Sequence, residues 1–435
     1  MVDLEERTEV IVEHKNKKNT LYITARDQRI HENHCIILGY EISEKLKKKF
    51  YIGCELERLK LNPRQKNFVV QGLKKLEADS KKYNLNFSLI ENNKLKKFCD
   101  EKEIDCIIID YNPMREYLKR SEELKNFCKT QKMKLIRVDA HNMVPCQSIE
   151  IYKRTSSSVK LQLNKKWNQF FSAYPKLRKH KYNVLEDIEN VYPEVDGPLY
   201  KYEGGYDTGM DMYEKFCKEK FSIFSDQRNN TEKSVNSNLS PWLIFGQISP
   251  QQIIYLIHER FVGKDNENLE SYLNELFIWR ETADHFVFHE PNYDNIDGAL
   301  LWAKETLLTH IKDPRDLKFS PKDLELGLTD DLLWNSAQKE MVQTGKMHGY
   351  ARMYWCKTLL KWFKDPRDAL KFAIEQNDSY SVDGNSSAGY LGCMWSICGS
   401  MDRAFKEREI FGKIRPMKAF KSPQYIKKYN TVAKK

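Results

Sequence analysis

Three tryptophans, Trp334, Trp355 and Trp362, fall within residues 330–364. The last two are seven apart, two helical turns along one face. Indoles at that spacing either pack a core or lie beside a redox cofactor, and spacing alone does not choose. Glu275 precedes Trp279 by four residues in the aromatic stretch LFIW. A carboxylate and an indole on one helix face can grip the edge of a base and stack on its ring; a surface glutamate has the same signature. Arg352 and Asp383 are opposite charges in apolar, aromatic surroundings, a candidate buried pair that needs hydrogen-bond partners. Asn236, Ser237, Asn238, Leu239 and Ser240, followed by Pro241, stand before a helical pattern. Such residues either cap a helix or, with its free N–H groups, bind an anion. Arg403 to Arg415 is basic with phenylalanines interleaved, a pattern suited to phosphate contacts.

The elements that must position these residues divide the chain. TLYIT (20–24), FYIGCEL (50–56), NFSLI (86–90), DCIIID (105–110) and KLIRVD (134–139) read as strands, and the amphipathic stretches 64–83 and 114–131 read as helices. Apolar strands alternating with helices predict a doubly wound parallel α/β sheet. No GxGxxG follows the first strand, so a Rossmann-type dinucleotide site has no support. From about residue 206 strand signals nearly vanish, and helical periods recur over 250–262, 268–288, 298–312, 330–344, 347–364 and 366–377. The expected organisation is an N-terminal tail (1–19), an α/β domain (20–150), a surface connector (151–205), an all-α domain (206–422) and a frayed basic tail (423–435).

Composition narrows the class. The 435 residues carry 72 Lys+Arg against 62 Asp+Glu, a balance of +10. Residues 401–435 hold eleven Lys+Arg and three Asp+Glu, so +8 of that charge sits at the C-terminal end. Only Trp167 of the eight tryptophans precedes residue 242. Basic charge beside clustered aromatics fits nucleic acid, although composition alone favours indoles in a helical core. The ten cysteines show neither CxxC spacing nor a His/Cys cluster, so no metal site is expected and free thiols in a reducing compartment are. No apolar run approaches a membrane span, and the start is acidic, which points to a soluble intracellular protein.

Taken in order, the strings resemble one family, the class II cyclobutane pyrimidine dimer DNA photolyases of the photolyase/cryptochrome superfamily. The resemblance runs through ARDQR (25–29), VDAHNMVPC (138–146), SNLSPWLIFGQISP (237–250), NELFIWRETADHF (274–286) and PNYDNIDGALLWA (291–303). It is densest over DDLLWNSAQKEMVQTGKMHGYARMYW (330–355) and continues through NDSYSVDG (377–384), GYLGCMWSI (389–397) and FGKIR (411–415). It implies an enzyme that binds FAD, reduced when active, and splits dimers in double-stranded DNA with light, working as a monomer wherever the genome is held, nucleus or cytoplasm. Asn236 to Ser240 then resemble the clamp on the FAD phosphates, with Arg280 beside them. Phe224 stands where the family usually has a tyrosine. Arg352 with Asp383 resembles the ion pair flanking the isoalloxazine, Asp383, Gly384 and Asn385 the loop along its pyrimidine edge, and Asn377 the amide at flavin N5. Trp355 and Trp334, then Trp362, match the class II electron-transfer tryptophans; Cys393 occupies the place other classes give their proximal tryptophan. Glu275, Trp279, Met353 and Trp395 resemble the residues that hold the flipped dimer, Arg415 the arginine filling the gap in the duplex, and Arg403 a backbone contact.

Two relatives compete. A cryptochrome-like photoreceptor shares the flavin fold without needing the four lesion residues together. A (6-4) photolyase needs a histidine pair, where this chain has Gly349 and Met353. A nucleic-acid-binding scaffold with a decayed flavin site is the non-enzymatic alternative. The family also holds an antenna chromophore, commonly a deazaflavin or FMN, in the α/β domain; His34 and Cys35 depart from its usual residues there, which leaves an antenna open.

Overall fold

The computed structural model describes residues 4–149 and 155–430. The chain divides into two compact units. The first comprises Met1–Glu150, Leu163–Lys215 and Asn238–Phe277, and the second Ile151–Gln162, Phe216–Ser237 and Ile278–Lys435.

The first unit is built on six strands: β1 (Thr8–Val12), β2 (Asn19–Thr24), β3 (Phe50–Cys54), β4 (Asn86–Leu89), β5 (Ile104–Asp110) and β6 (Lys134–Val138). Their order is β1-β6-β5-β2-β3-β4. The last five are the predicted strands, and they pair in parallel. Central positions such as Leu21, Tyr22, Ile107 and Ile108 are sealed on both faces, which explains their unbroken apolar runs. One expectation needs correcting at the edge. Residues 8–12, read as tail, form β1, antiparallel to β6. Antiparallel edge strands are common on such sheets, and this strand shows water one side, so its pattern is too mixed to stand out. The predicted helices appear as Pro63–Lys82 and Arg115–Gln131, the former opened by Pro63 and a reciprocal Asn62–Gln65 capping box.

The second unit is helical. Its central helices are Leu332–Thr344, Gly349–Trp362, Pro366–Tyr380 and Ser387–Cys398. The last escapes sequence reading because it is apolar on nearly every side and contains Gly389 and Gly392. The expected frayed tail is corrected too. Pro423–Asn430 is a helix whose Tyr425 and Tyr429 are buried and donate to Glu340 on Leu332–Thr344. Within the stretch read as connector, Ser156–Phe170 is also helical.

Candidate functional site

In the second unit the Gly349–Trp362 helix carries Arg352 and Trp355 one turn apart. Arg352 donates to Asp383 at 3.3 Å, so the ion pair expected from sequence forms. Asp383 is gripped a second time, by Lys346 at 3.0 Å. The loop bearing it is tied down by Val382 N–H to the Gly345 carbonyl and by Ser386 Oγ to the Asp383 carbonyl. Beside it, Asn377 is 3 % exposed; its amide nitrogen donates to Asp378, while its Oδ1 is buried with no hydrogen-bond partner. Arg352 Nε is likewise buried without a partner. Asn385 takes a left-handed φ of 48°, and its backbone N–H reaches Asp378 at 2.8 Å. Gly384 is required by crowding: a Cβ there would lie 2.5 Å from the Asn377 carbonyl oxygen.

The three indoles lie in one line, but not in the order of their numbers. Trp334 sits between the others, stacked on Trp355 at 6.1 Å with planes 14° apart and edge-on to Trp362 at 5.0 Å. Trp334 and Trp355 are sealed, and Trp362 is 8 % exposed. Trp355 Nε1 donates to Gln338 Oε1 at 2.9 Å, and Trp334 Nε1 to the Trp355 carbonyl at 3.0 Å.

A second aromatic group faces water. Trp279 and Trp395 meet edge to face at 5.3 Å, and both are partly exposed. Met353 is 42 % exposed. Trp395 Nε1 donates to Asp402 at 2.9 Å, which fixes that ring. Glu275 and Trp279 share the turn Asn274–Trp279, which is π-helical. The simple four-residue alignment expected of an α-helix therefore does not apply; π turns recur at functional sites because they re-aim side chains. Arg403 and Arg415 are exposed, and the Arg415 guanidinium lies over the Phe405 ring.

Next to Trp395, Lys357 is buried and donates to the Ser396 carbonyl at 2.8 Å. Burial pushes its ammonium down to about 8, with Asp402 opposing the shift. Below that pH both folded and unfolded chains hold the proton; between about 8 and the ordinary 10.5 only the unfolded chain does. Stability from this group therefore rises with pH across that window, by up to about 1.4 kcal/mol per pH unit. Lys357→Met is expected to flatten the rise, read as the difference between wild-type and variant denaturant midpoints on either side of pH 8. Parallel slopes for the two proteins would refute this.

The remaining expected residues fall as follows. Asn236 meets His348 Nε2 at 3.0 Å, and burial, then Lys346 and Arg352, push that imidazole down to about 4. In the first unit Asn238 has a left-handed φ of 59°. Ser240–Ile244 is a short helix whose N-cap residue, Leu239, makes no side-chain cap bond. Arg280 donates to the fully buried Glu281 at 2.7 Å. Phe224 is buried edge-to-face on Phe216, an apolar niche that suits a ring without a hydroxyl.

The first unit has its own crevice where the strand order reverses, at the C-terminal ends of β2 and β5, lined by Thr24, Asp110, Tyr111 and Asn112. Asp110 there accepts the backbone N–H groups of Ala25, Arg26 and Asp27. Burial, then Asp27, pushes Asp110 up to about 6. Burial opposes ionisation of Asp27 as well, but Arg29 at 2.5 Å and then His141 outweigh it and hold that carboxyl well below the carboxylate range. The RDQR string is thus a buried anchor. His34 and Cys35 are fully buried, the histidine ring meeting the Tyr174 hydroxyl at 3.1 Å.

A family model described as DNA photolyase matches residues 20–181. The deoxyribodipyrimidine photo-lyase of Potorous tridactylus is 33 % identical over 413 residues, spanning 91 % of this chain and 77 % of the relative. The chain belongs to the DNA photolyase family. The Arabidopsis thaliana photo-lyase is 32 % identical over 91 % of this chain and 84 % of its own length. That of Methanothermobacter thermautotrophicus is 31 % identical over 89 % and 88 %. Among solved structures, a bacterial class III photolyase from Agrobacterium tumefaciens superposes with a TM-score of 0.72 at 15 % identity, covering 96 % of this chain and 88 % of that one. A Synechocystis cryptochrome gives 0.72 at 14 % identity over 96 % and 87 %. At those identities the likeness is one of fold.

Sequence reading of this photolyase-family chain missed four residues that hold the expected ones. Lys346 completes the grip on Asp383, Asp378 anchors Asn377 and Asn385, Gln338 receives Trp355, and Asp402 receives Trp395. Only Asp378, adjacent to Asn377, carried any local signal. No helix among the described residues is long and apolar enough to cross a membrane.

Proposed function

We propose that this chain is a class II cyclobutane pyrimidine dimer photolyase, with an antenna-type domain over 20–150, a connector over 151–205 and an FAD- and DNA-binding domain over 206–422. The observation that carries the reading is the buried Trp355–Trp334–Trp362 series, in which exposure is greatest at Trp362. The identity to relatives named as photo-lyases over most of the chain supports it.

FAD suits the residues present. Two buried polar atoms, Asn377 Oδ1 and Arg352 Nε, await a partner, and both belong to the set expected at the isoalloxazine. Asn236 to Ser240 and Arg280 would hold the phosphates, and Asp383, Gly384 and Asn385 the pyrimidine edge. When bound, the reduced flavin supplies a light-excited one-electron donor. Arg352 and Lys346 place positive charge on Asp383 and keep its loop in register. The three indoles carry electron density inward from the surface. Trp279, Trp395 and Met353 offer apolar faces to an extruded dimer, and Glu275 a carboxylate for its N3–H edge. Extrusion of the target is general for photolyases, and a dimer is already poorly stacked. Arg415 would fill the gap left in the duplex and Arg403 meet its backbone, with the other C-terminal lysines and arginines adding salt-sensitive attraction. The crevice at the strand reversal is the place in its unit for an antenna of deazaflavin or FMN type.

An absorption spectrum of the purified chain, followed by a blue-light repair assay on dimer-containing DNA, tests the proposal. One FAD per chain with light-dependent repair is expected. A chain holding no FAD would sink it, and FAD without repair would favour the photoreceptor. Glu275→Ala is expected to weaken affinity for the dimer or lower its repair yield by about tenfold, the worth of one hydrogen bond to a charged group. Unchanged binding and yield would make Glu275 structural.

A further inference from the structure

Asp378 holds the Asn377 amide in a single orientation, and we infer that it is the positioning residue that biases bound FAD towards its reduced form. The inference rests on the flavin reading and deepens it. A carboxylate only accepts hydrogen bonds, whereas an amide has one accepting and one donating end. Asp378 Oδ1 receives the Asn377 amide nitrogen at 3.2 Å and the Asn385 backbone N–H at 2.8 Å. Its Oδ2 receives the Tyr390 hydroxyl at 3.0 Å. Burial, then Asp378, drives that hydroxyl far above the ordinary tyrosine range, so it stays a donor.

With its NH2 end committed to the carboxylate, Asn377 must present its oxygen on the other side. That oxygen is the buried atom without a partner. Gly389 guards the arrangement from behind: a Cβ there would come within 2.7 Å of the Asn377 amide nitrogen, leaving the side chain no room to stay where it is. An accepting oxygen favours a flavin that carries a proton on N5, as reduced flavin does. The opposite end of the amide would donate to the bare N5 of oxidised flavin. Asp378 therefore selects between two oxidation states without being required to touch the cofactor.

The test is the redox equilibrium of bound FAD, titrated photometrically against a reference dye in wild type, Asp378→Asn and Gly389→Ala. Asparagine at 378 accepts and donates, so the Asn377 amide is released to turn. The ratio of reduced to oxidised flavin at fixed ambient potential is expected to fall about tenfold. Gly389→Ala leaves the carboxylate in place and displaces the amide from the other side, so it is expected to shift the ratio in the same direction. Wild-type ratios in both loaded variants overturn the inference. Loss of FAD from both variants, with wild type still loaded, overturns it in favour of a purely structural carboxylate. A wild-type chain that holds no FAD overturns the proposed function itself.

Discussion

Replacing Trp334 with phenylalanine is expected to end light-driven reduction of bound FAD, while enzyme reduced chemically beforehand still repairs dimers. Trp334 makes both ring contacts in the line, so its loss interrupts the route whichever end supplies the electron. Phenylalanine keeps most of the volume but is far harder to oxidise than an indole. It also removes the indole donor that adds to the helical hydrogen bond on the Trp355 carbonyl. The fold should lose only about 1–2 kcal/mol, less than a truncation to alanine would cost. Trp355→Phe is expected to match it, because that ring is the inner end of the line. Trp362→Phe should leave the inner stacked pair intact and give a shorter-lived charge separation, visible in transient absorption. Wild-type photoreduction in Trp334→Phe would remove the relay role, and loss of repair by the pre-reduced variant would assign the residue to the lesion side.

Asp383→Asn should weaken FAD binding about 10- to 100-fold, measured by quenching of flavin fluorescence in a titration. Two cations converge on this carboxylate, Arg352 from the Gly349–Trp362 helix and Lys346 from just before it. Neutralising the anion leaves them facing each other with nothing between. The arginine, whose Nε has no protein partner, is then free to swing away. Removing one member of a largely buried ionic group costs more than the group contributes as a whole, because charge is left uncompensated. A stability loss of about 2 kcal/mol should accompany the weaker binding. Lys346→Met should have the smaller effect, since the Arg352 contact survives. An unchanged dissociation constant for Asp383→Asn would place the ion group outside the flavin site.

Five parallel strands were legible because β-branched runs sealed on both faces admit few other readings. β1 was not, since a half-exposed edge strand alternates too weakly to rise above an acidic N-terminus. The helix carrying Cys393 and Trp395 was invisible for the opposite reason, having no polar face to mark its period. Among site residues, Arg352 could be read because its charge interrupts an apolar, aromatic run, and Asp383 through the resemblance of its loop. Lys346 could not, because it lies among ordinary polar residues and gains its meaning only when two loops meet. The tryptophans show the limit most clearly. Their numbers place Trp334 first, yet the helix packing sets it in the middle, and no spacing rule carries that information.

The partners of the two inner indoles have a kinetic consequence. Trp355 N–H points at a side-chain amide oxygen and Trp334 N–H at a peptide oxygen. Neither group is basic enough to take a proton. An indole that gives up an electron here cannot discharge itself by deprotonation, so the positive hole stays mobile and its traffic remains reversible. Trp362, the most exposed of the three at 8 %, is the end at which an exit for the proton would lie. The interior is built as a wire, and the surface as its latch.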